Sequence, residues 1–258
     1  MIKLGICTGI ENWEKCKEIG FDYLELNMSA TAALSDHEFE ALKEEVKRAN
    51  VPVRAMNVML PGGFHLCADD LDTAALSEYL EKAYARAQAL GVSVAVFGSG
   101  GARRYPDDME YAPAMDKLVA FLRLAGPLAE KYGLVIAVEP LREMECNIIN
   151  SVMEARQLAK MANLPNVSVL ADLYHMAQGH ESFMGMRLGP LAHCHIAECQ
   201  KRGFPRQGDG SQPMYDSFFE ALRHIGYDGG VSIEGSAQDF EQEAKQAFAL
   251  LDFMRRQA

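Results

Sequence analysis

The feature that most constrains this chain is an alternation. Short apolar runs of strand length and longer amphipathic stretches of helix length follow one another eight times along the 258 residues, without a linker or a low-complexity segment. The expected strands are Lys3–Thr8, Phe21–Asn27, Val53–Met59, Ser93–Phe97, Leu134–Glu139, Val167–Asp172, Ala192–Ala197 and Gly230–Ile233. Helices are expected over Asn12–Ile19, Asp36–Ala49, Asp70–Leu90, Asp107–Tyr132, from a Ser151 cap to about Ala162, His175–Arg187, Met214–Ile225 and Ala237–Arg256. Pro113 and Pro127 predict a late start and a kink or break in the fourth of these helices. Four junctions repeat one pattern, Ile19-Gly20-Phe21, Leu90-Gly91-Val92, Tyr132-Gly133-Leu134 and Ile225-Gly226-Tyr227, each with a glycine between helix and strand. An uninterrupted βα repeat predicts an α/β fold, a (β/α)8 TIM barrel forming one domain over residues 1–258. A doubly wound open sheet would carry a glycine-rich phosphate turn after its first strand, and Thr8-Gly9-Ile10 is not one.

The fifth strand carries the main functional signal. Val135-Ile136-Ala137-Val138 reads as buried on both faces and runs straight into Glu139 and Pro140. A bare carboxylate beside buried surface is costly unless it is paired or bound to a cation. The next three strands end in the same way, at Asp172, His195 and Glu234. In a barrel, strand C-termini and the loops after them build the active site, and neighbouring strands can bring these four side chains together. Three carboxylates and one imidazole suit a divalent cation such as Mn²⁺, Mg²⁺ or Co²⁺, and without one the carboxylates would repel and take up protons. Any one of the four alone reads as an unrelated polar strand end; the recurrence favours a site. His193 lies two residues before His195, on the same face and deeper in the barrel.

The run Glu139-Pro140-Leu141-Arg142-Glu143-Met144-Glu145-Cys146-Asn147, with Asp172-Leu173-Tyr174-His175, His193-Cys194-His195-Ile196-Ala197-Glu198 and Ile233-Glu234-Gly235, resembles the xylose-isomerase-like barrel superfamily. Within it the pattern is similar to that of the ketohexose 3-epimerases and the hydroxypyruvate-isomerase-like sugar isomerases. The resemblance implies that Glu139, Asp172, His195 and Glu234 are ligands of one divalent metal ion, Mn²⁺ first among Mg²⁺, Co²⁺ and Zn²⁺. It implies that Glu139 and Glu234 are also the catalytic acid/base pair, and that Glu145 and His175 bind substrate. The activity implied is a sugar isomerase or epimerase passing a proton through an enediolate of a small ketose or keto-acid. An inosose-type dehydratase uses the same site. Dimers and tetramers are usual in these families, so a homo-oligomer is expected.

Two loops bear on the substrate. Glu198–Gly210 resembles the family's arginine loop, and both Lys201 and Arg202 compete for the arginine's place: spacing to Pro205 favours Arg202, spacing from His195 favours Lys201. Arg202 is taken as the substrate-binding residue. The stretch Gly98-Ser99-Gly100-Gly101-Ala102-Arg103-Arg104 is expected to line the substrate pocket as a loop, with a phosphate cradle as the other possibility.

Net charge decides between partners. At −11 the chain lacks the basic excess that nucleic-acid or anionic-membrane binding uses, and it carries no apolar run of membrane-spanning length. A DNA-repair endonuclease of the same superfamily would need extra histidines at the ends of strands 2 to 4, and only His65 lies near them. The partner expected is a small-molecule sugar. Six scattered cysteines with no C-x-x-C pair, and an N-terminus that opens on a strand, predict a reduced, cytoplasmic protein.

Overall fold

The computed structural model describes residues 1–257. Eight parallel strands, β1 (Lys3–Cys7), β2 (Tyr23–Asn27), β3 (Val53–Asn57), β4 (Val94–Phe97), β5 (Val135–Val138), β6 (Val167–Asp172), β7 (His193–Ile196) and β8 (Gly230–Ile233), close in sequence order, β8 pairing back onto β1. Among the described residues eleven α-helices surround them: α1 (Trp13–Ile19), α2 (Met28–Ala33), α3 (Asp36–Ala49), α4 (Thr73–Ala89), α5 (Gly100–Arg103), α6 (Tyr111–Lys131), α7 (Val152–Ala162), α8 (Leu173–Gln178), α9 (Met184–Arg187), α10 (Gln212–His224) and α11 (Phe240–Arg256). The predicted (β/α)8 TIM barrel is the fold.

Local chemistry sets the element ends. Ser35 and Glu38 form a reciprocal capping box that starts α3. Asp72, not Asp70, starts α4, because its carboxylate accepts from the backbone N–H groups of Ala74 and Ala75. Ser151 caps α7 as expected. The late start of α6 is present, but the helix runs through Pro127 without a break. The His175–Arg187 helix is two short ones, α8 and α9, separated by a turn at Gly179 and His180, where His180 takes a left-handed φ of 51°. Helix α2 was not expected. It forms because Asn27, the last residue of β2, turns its side chain to accept from Ala30 N–H at 2.8 Å.

The barrel interior is two-sided. Toward β3–β6 it is filled by Ala55, Val94, Val96, Ala137 and Leu170. Toward β7, β8, β1 and β2 it holds buried polar groups: His193, His195, Ser232 and Glu25. Tyr23 also lies inside, and its ring occupies the space that side chains on two facing strand positions would need. A Cβ on Gly5 would come within 2.2 Å of that ring, and one on Gly230 within 2.6 Å of its hydroxyl. Register places Asp172 beside His195, His195 beside Ser232, and Cys7 beside Glu25, so these side chains share the inner face.

Candidate metal centre and active site

Strand ends position the four residues expected to converge, and they do. Glu139, Asp172, His195 and Glu234 each offer one ligand atom, and all four atoms lie within 4.8 Å of one another. His195 Nδ1 stands 3.0 Å from Glu139 Oε1, 3.4 Å from Glu234 Oε2 and 3.9 Å from Asp172 Oδ2. The other oxygen of Asp172 caps α8, accepting from His175 N–H at 3.1 Å, which aims Oδ2 inward. Glu234 Oε1 accepts from Asn57 Nδ2 at 3.0 Å, and its Oε2 is paired with Arg202.

Residues that the sequence reading passed over complete the site. Glu25 is buried, accepting from His195 Nε2 at 2.9 Å and from His193 Nε2 at 2.7 Å. Its signal was a carboxylate inside the apolar strand Tyr23-Leu24-Glu25-Leu26, where ionised groups rarely sit unless paired. Asn57, the last residue of β3, carries no charge to mark it in the sequence, yet it donates to Glu234. His193 does lie deeper than His195 and faces Glu25 and Ser232 instead of the carboxylate cluster.

The electrostatics fit a cation. With protein groups alone, burial and the neighbouring Glu234 push Asp172 up to about 6, and the same two causes raise Glu139. Burial raises Glu234 too, but His195 and Arg202 beside it outweigh that and hold it at about 2. Burial lowers His195, yet Glu25, Glu234 and Glu139 together drive it well above its ordinary value. Three carboxylates against one imidazole nitrogen whose ring is held by Glu25 form a donor set with surplus negative charge that Arg202, reaching Glu234 and Asp172 from one side, offsets only in part. The oxygen-rich set and its carboxylate–histidine backing suit a divalent ion.

The expected substrate-binding residues border this cluster. Glu145 is held by Arg142 Nε at 2.8 Å and approached by Arg202 Nη1 at 3.5 Å. Both guanidinium groups lie 5.1 Å from the Tyr174 ring centroid. His175 Nδ1 accepts from Arg142 N–H at 3.2 Å, so its Nε2 carries the hydrogen; that atom is buried, 3.8 Å from Asp172 Oδ2, and has no hydrogen-bond partner among the described residues. It is an unused donor at the edge of the carboxylate cluster. Arg202 reaches the cluster from a left-handed backbone, φ 55°, while Lys201 is exposed.

A cavity of about 350 Å³ opens at the edge of the cluster, lined by Glu139, Glu145, Arg202, Glu234, Leu60 and Gly98–Ala102. That stretch lines the pocket as expected but is partly helical, as α5. Its arginines do not face a phosphate: Arg103 is fully buried, donating to the Phe97 carbonyl at 2.9 Å, and Arg104 is exposed. A groove of about 500 Å³ by α7 and β6 holds no carboxylate. β2 and β3 end in Asn27 and Asn57, and Gly98 follows β4, so no histidine stands at these three strand ends.

A closed (β/α)8 barrel whose C-terminal strand ends gather three carboxylates and an imidazole beneath a polar cavity defines a barrel equipped to hold a divalent cation at its mouth. The chain belongs to the xylose isomerase-like TIM barrel family, whose sequence profile matches residues 13–257. It is similar to the 3-dehydro-D-guloside 4-epimerase of Escherichia coli (strain K12), 27% identical over 259 residues that cover 94% of this chain and 93% of the relative. It is also similar to the D-psicose 3-epimerase of Agrobacterium fabrum, 25% identical over 231 residues covering 86% and 77%. Among solved structures, a D-psicose 3-epimerase crystallised in the presence of D-fructose matches with a TM-score of 0.85 at 22% identity over 99% of both chains. That last likeness is one of fold.

Proposed function

We propose that the protein is a divalent-metal-dependent sugar epimerase that moves a proton at the carbon next to a ketone, through an enediolate. The observation that carries this reading is the convergence of Glu139, Asp172, His195 and Glu234 beneath a sugar-sized polar cavity. The names of the relatives support it, since they describe inversion in a 3-dehydro-guloside and in psicose. Glu139, Asp172, His195 and Glu234 would hold the ion. When bound, it would polarise the ketone and offset the charge that develops on its oxygen.

The chain's own residues supply the rest. Of Glu139 and Glu234, one takes the proton from the carbon and the other returns one on the opposite face, which inverts the centre. Asn57 and Arg202 hold Glu234 by its two oxygens, so its approach to the substrate is fixed. The free Nε2–H of His175 and the Glu145 carboxylate would orient substrate oxygens. Mn²⁺ is the ion proposed, ahead of Mg²⁺, Co²⁺ and Zn²⁺: the family resemblance implies it, and three carboxylates with one imidazole are compatible with it. A cytoplasmic setting is proposed, supported by six free thiols, and a homo-oligomer is proposed from the family resemblance alone; no described helix is long and apolar enough to cross a membrane.

The test is a panel of ketohexoses and 3-keto-glycosides incubated with Mn²⁺ in D₂O and followed by NMR. An epimer carrying one deuterium at the inverted carbon is expected. Loss of water from a 2-keto-inositol without epimerisation would instead mark a dehydratase, and no exchange with any of them would overturn the reading.

A further inference from the structure

Glu25 sits halfway up the barrel interior, one layer below the carboxylate cluster, and no step of the proposed reaction uses it. A carboxylate in that position is costly unless both oxygens are matched. Both are, by Nε2 of His195 at 2.9 Å and Nε2 of His193 at 2.7 Å. A carboxylate only accepts hydrogen bonds, so both nitrogens carry hydrogens. Nδ1 of His195 is then the atom facing Glu139, Glu234 and Asp172; with protein groups alone it donates to Glu139 Oε1 at 3.0 Å, and a bound cation would take the place of that proton.

Glu25 is itself held. His193 Nε2 also lies 3.2 Å from Ser232 Oγ, which shares a hydrogen bond of 2.8 Å with Tyr23 hydroxyl. This buried row of Tyr23, Ser232, His193, Glu25 and His195 crosses the barrel from its lower layer to the cluster. It exists because Gly5 and Gly230 leave room for the Tyr23 ring. Pinned through Oε2, Glu25 cannot swing upward to join the cluster as a further ligand.

We propose that Glu25 is a positioning residue: by accepting from both histidines it fixes the ring orientation and the tautomer of His195, so that Nδ1 is presented as the metal donor. The proposal rests on the reading of Glu139, Asp172, His195 and Glu234 as a metal centre. A neutral imidazole freed from Glu25 populates both tautomers, and the one with hydrogen on Nδ1 turns a donor toward the cation. Removing such a backing carboxylate weakens metal binding by about 10- to 100-fold in other metal sites.

Two measurements test it together. Mn²⁺ affinity is taken by isothermal titration calorimetry for the wild type, Glu25→Gln and Tyr23→Phe. The histidine ring nitrogens are read by ¹⁵N NMR on Mg²⁺-loaded protein, Mg²⁺ being diamagnetic. A glutamine presents one acceptor oxygen in place of two, so Glu25→Gln should bind Mn²⁺ about 10- to 100-fold more weakly and lose the uniform Nε2–H signature of His195. Tyr23→Phe removes only the far bond and should stay within about twofold of wild type, a smaller effect than backing-residue loss. The wild-type spectrum decides even if Glu25→Gln does not fold: His195 must show hydrogen on Nε2 and none on Nδ1. Hydrogen on Nδ1, a Glu25→Gln affinity equal to wild type, or an equal loss in Tyr23→Phe would overturn the role of Glu25 while leaving the metal centre standing. A wild type that binds neither ion overturns the metal centre and this proposal with it.

Discussion

Glu139 Oε2 occupies the space above Gly98: a Cβ built on Gly98 would lie 2.0 Å from that oxygen. The residue just after β4 therefore decides where Glu139, the carboxylate that follows β5 and is proposed as half of the acid/base pair, can stand. The obstructed atom is the tip of a flexible side chain, so Gly98→Ala should displace Glu139 without unfolding the barrel. Displacements of about 1 Å at such a group cost on the order of 10²-fold in turnover. The expected result is a kcat lower by about that factor with a nearly unchanged Tm; Gly63→Ala, outside the cavity lining and with nothing within 4 Å of its new Cβ, is the control. Full activity in Gly98→Ala would show that Glu139 has a second workable position.

Arg202 pairs with Glu234, lies near Asp172 and Glu145, and stacks on Tyr174. Arg202→Gln should lower kcat/KM by about 10²-fold, because a partly buried charge pair loses one member. Lys201→Ala should stay within about threefold, as its side chain is exposed and surface charges contribute little. Steady-state kinetics on the two variants decides which residue of the loop serves the site, and the opposite ranking would return the role to Lys201.

Ligand protonation competes with metal. Burial and Glu234 push Asp172 up to about 6 with protein groups alone, so a proton occupies it increasingly as pH falls below that value. Only the ionised form can coordinate. Mn²⁺ affinity should therefore be highest above pH 7 and weaken by about tenfold or more at pH 5, with proton release on binding. Calorimetry in buffers of different ionisation enthalpy measures both, and an affinity independent of pH over that range would contradict the assignment.

A second carboxyl gives a stability prediction away from the chemistry. Glu181 Oε1 accepts from Val152 N–H at the start of α7, 2.9 Å away, and burial pushes it up to about 7. Its folded-state value lies above its unfolded one, so the folded protein holds the proton more tightly. The associated stability is present below the ordinary carboxylate range and is lost as pH rises through about 7. Glu181→Gln keeps the acceptor but not the charge. It should gain about 1 kcal/mol over wild type at pH 8 and almost nothing at pH 5, the group's partial exposure having been allowed for. Urea unfolding at the two pH values checks the sign.

Much of this was legible in the chain. Glu139, Asp172 and Glu234 each end an apolar strand, so pattern alone located them, and the pairing of His193 with His195 followed from the two-residue period. What escaped depends on contacts that sequence spacing does not encode. Glu25 is buried by partners on β7, which is brought within reach of β2 only by closure of the barrel through β8 and β1. That Arg202 and not Lys201 turns toward the carboxylates goes with a left-handed backbone at Arg202 that spacing does not announce. Arg103 looked available to a ligand, but its side chain folds under α5 against Phe97. Helix α2 has no amphipathic repeat and exists because the side chain of Asn27 starts it.

The central claim is that Glu139 and Glu234 form one acid/base pair around a bound cation. Glu139→Gln, saturated with Mn²⁺ and given an accepted sugar in D₂O, tests it most directly through the deuterium that NMR finds at the inverted carbon. The account predicts that exchange falls by at least about 10³-fold, within the range expected for loss of a general acid/base, while the variant still binds sugar. Epimerisation and exchange continuing at rates near wild type would contradict it.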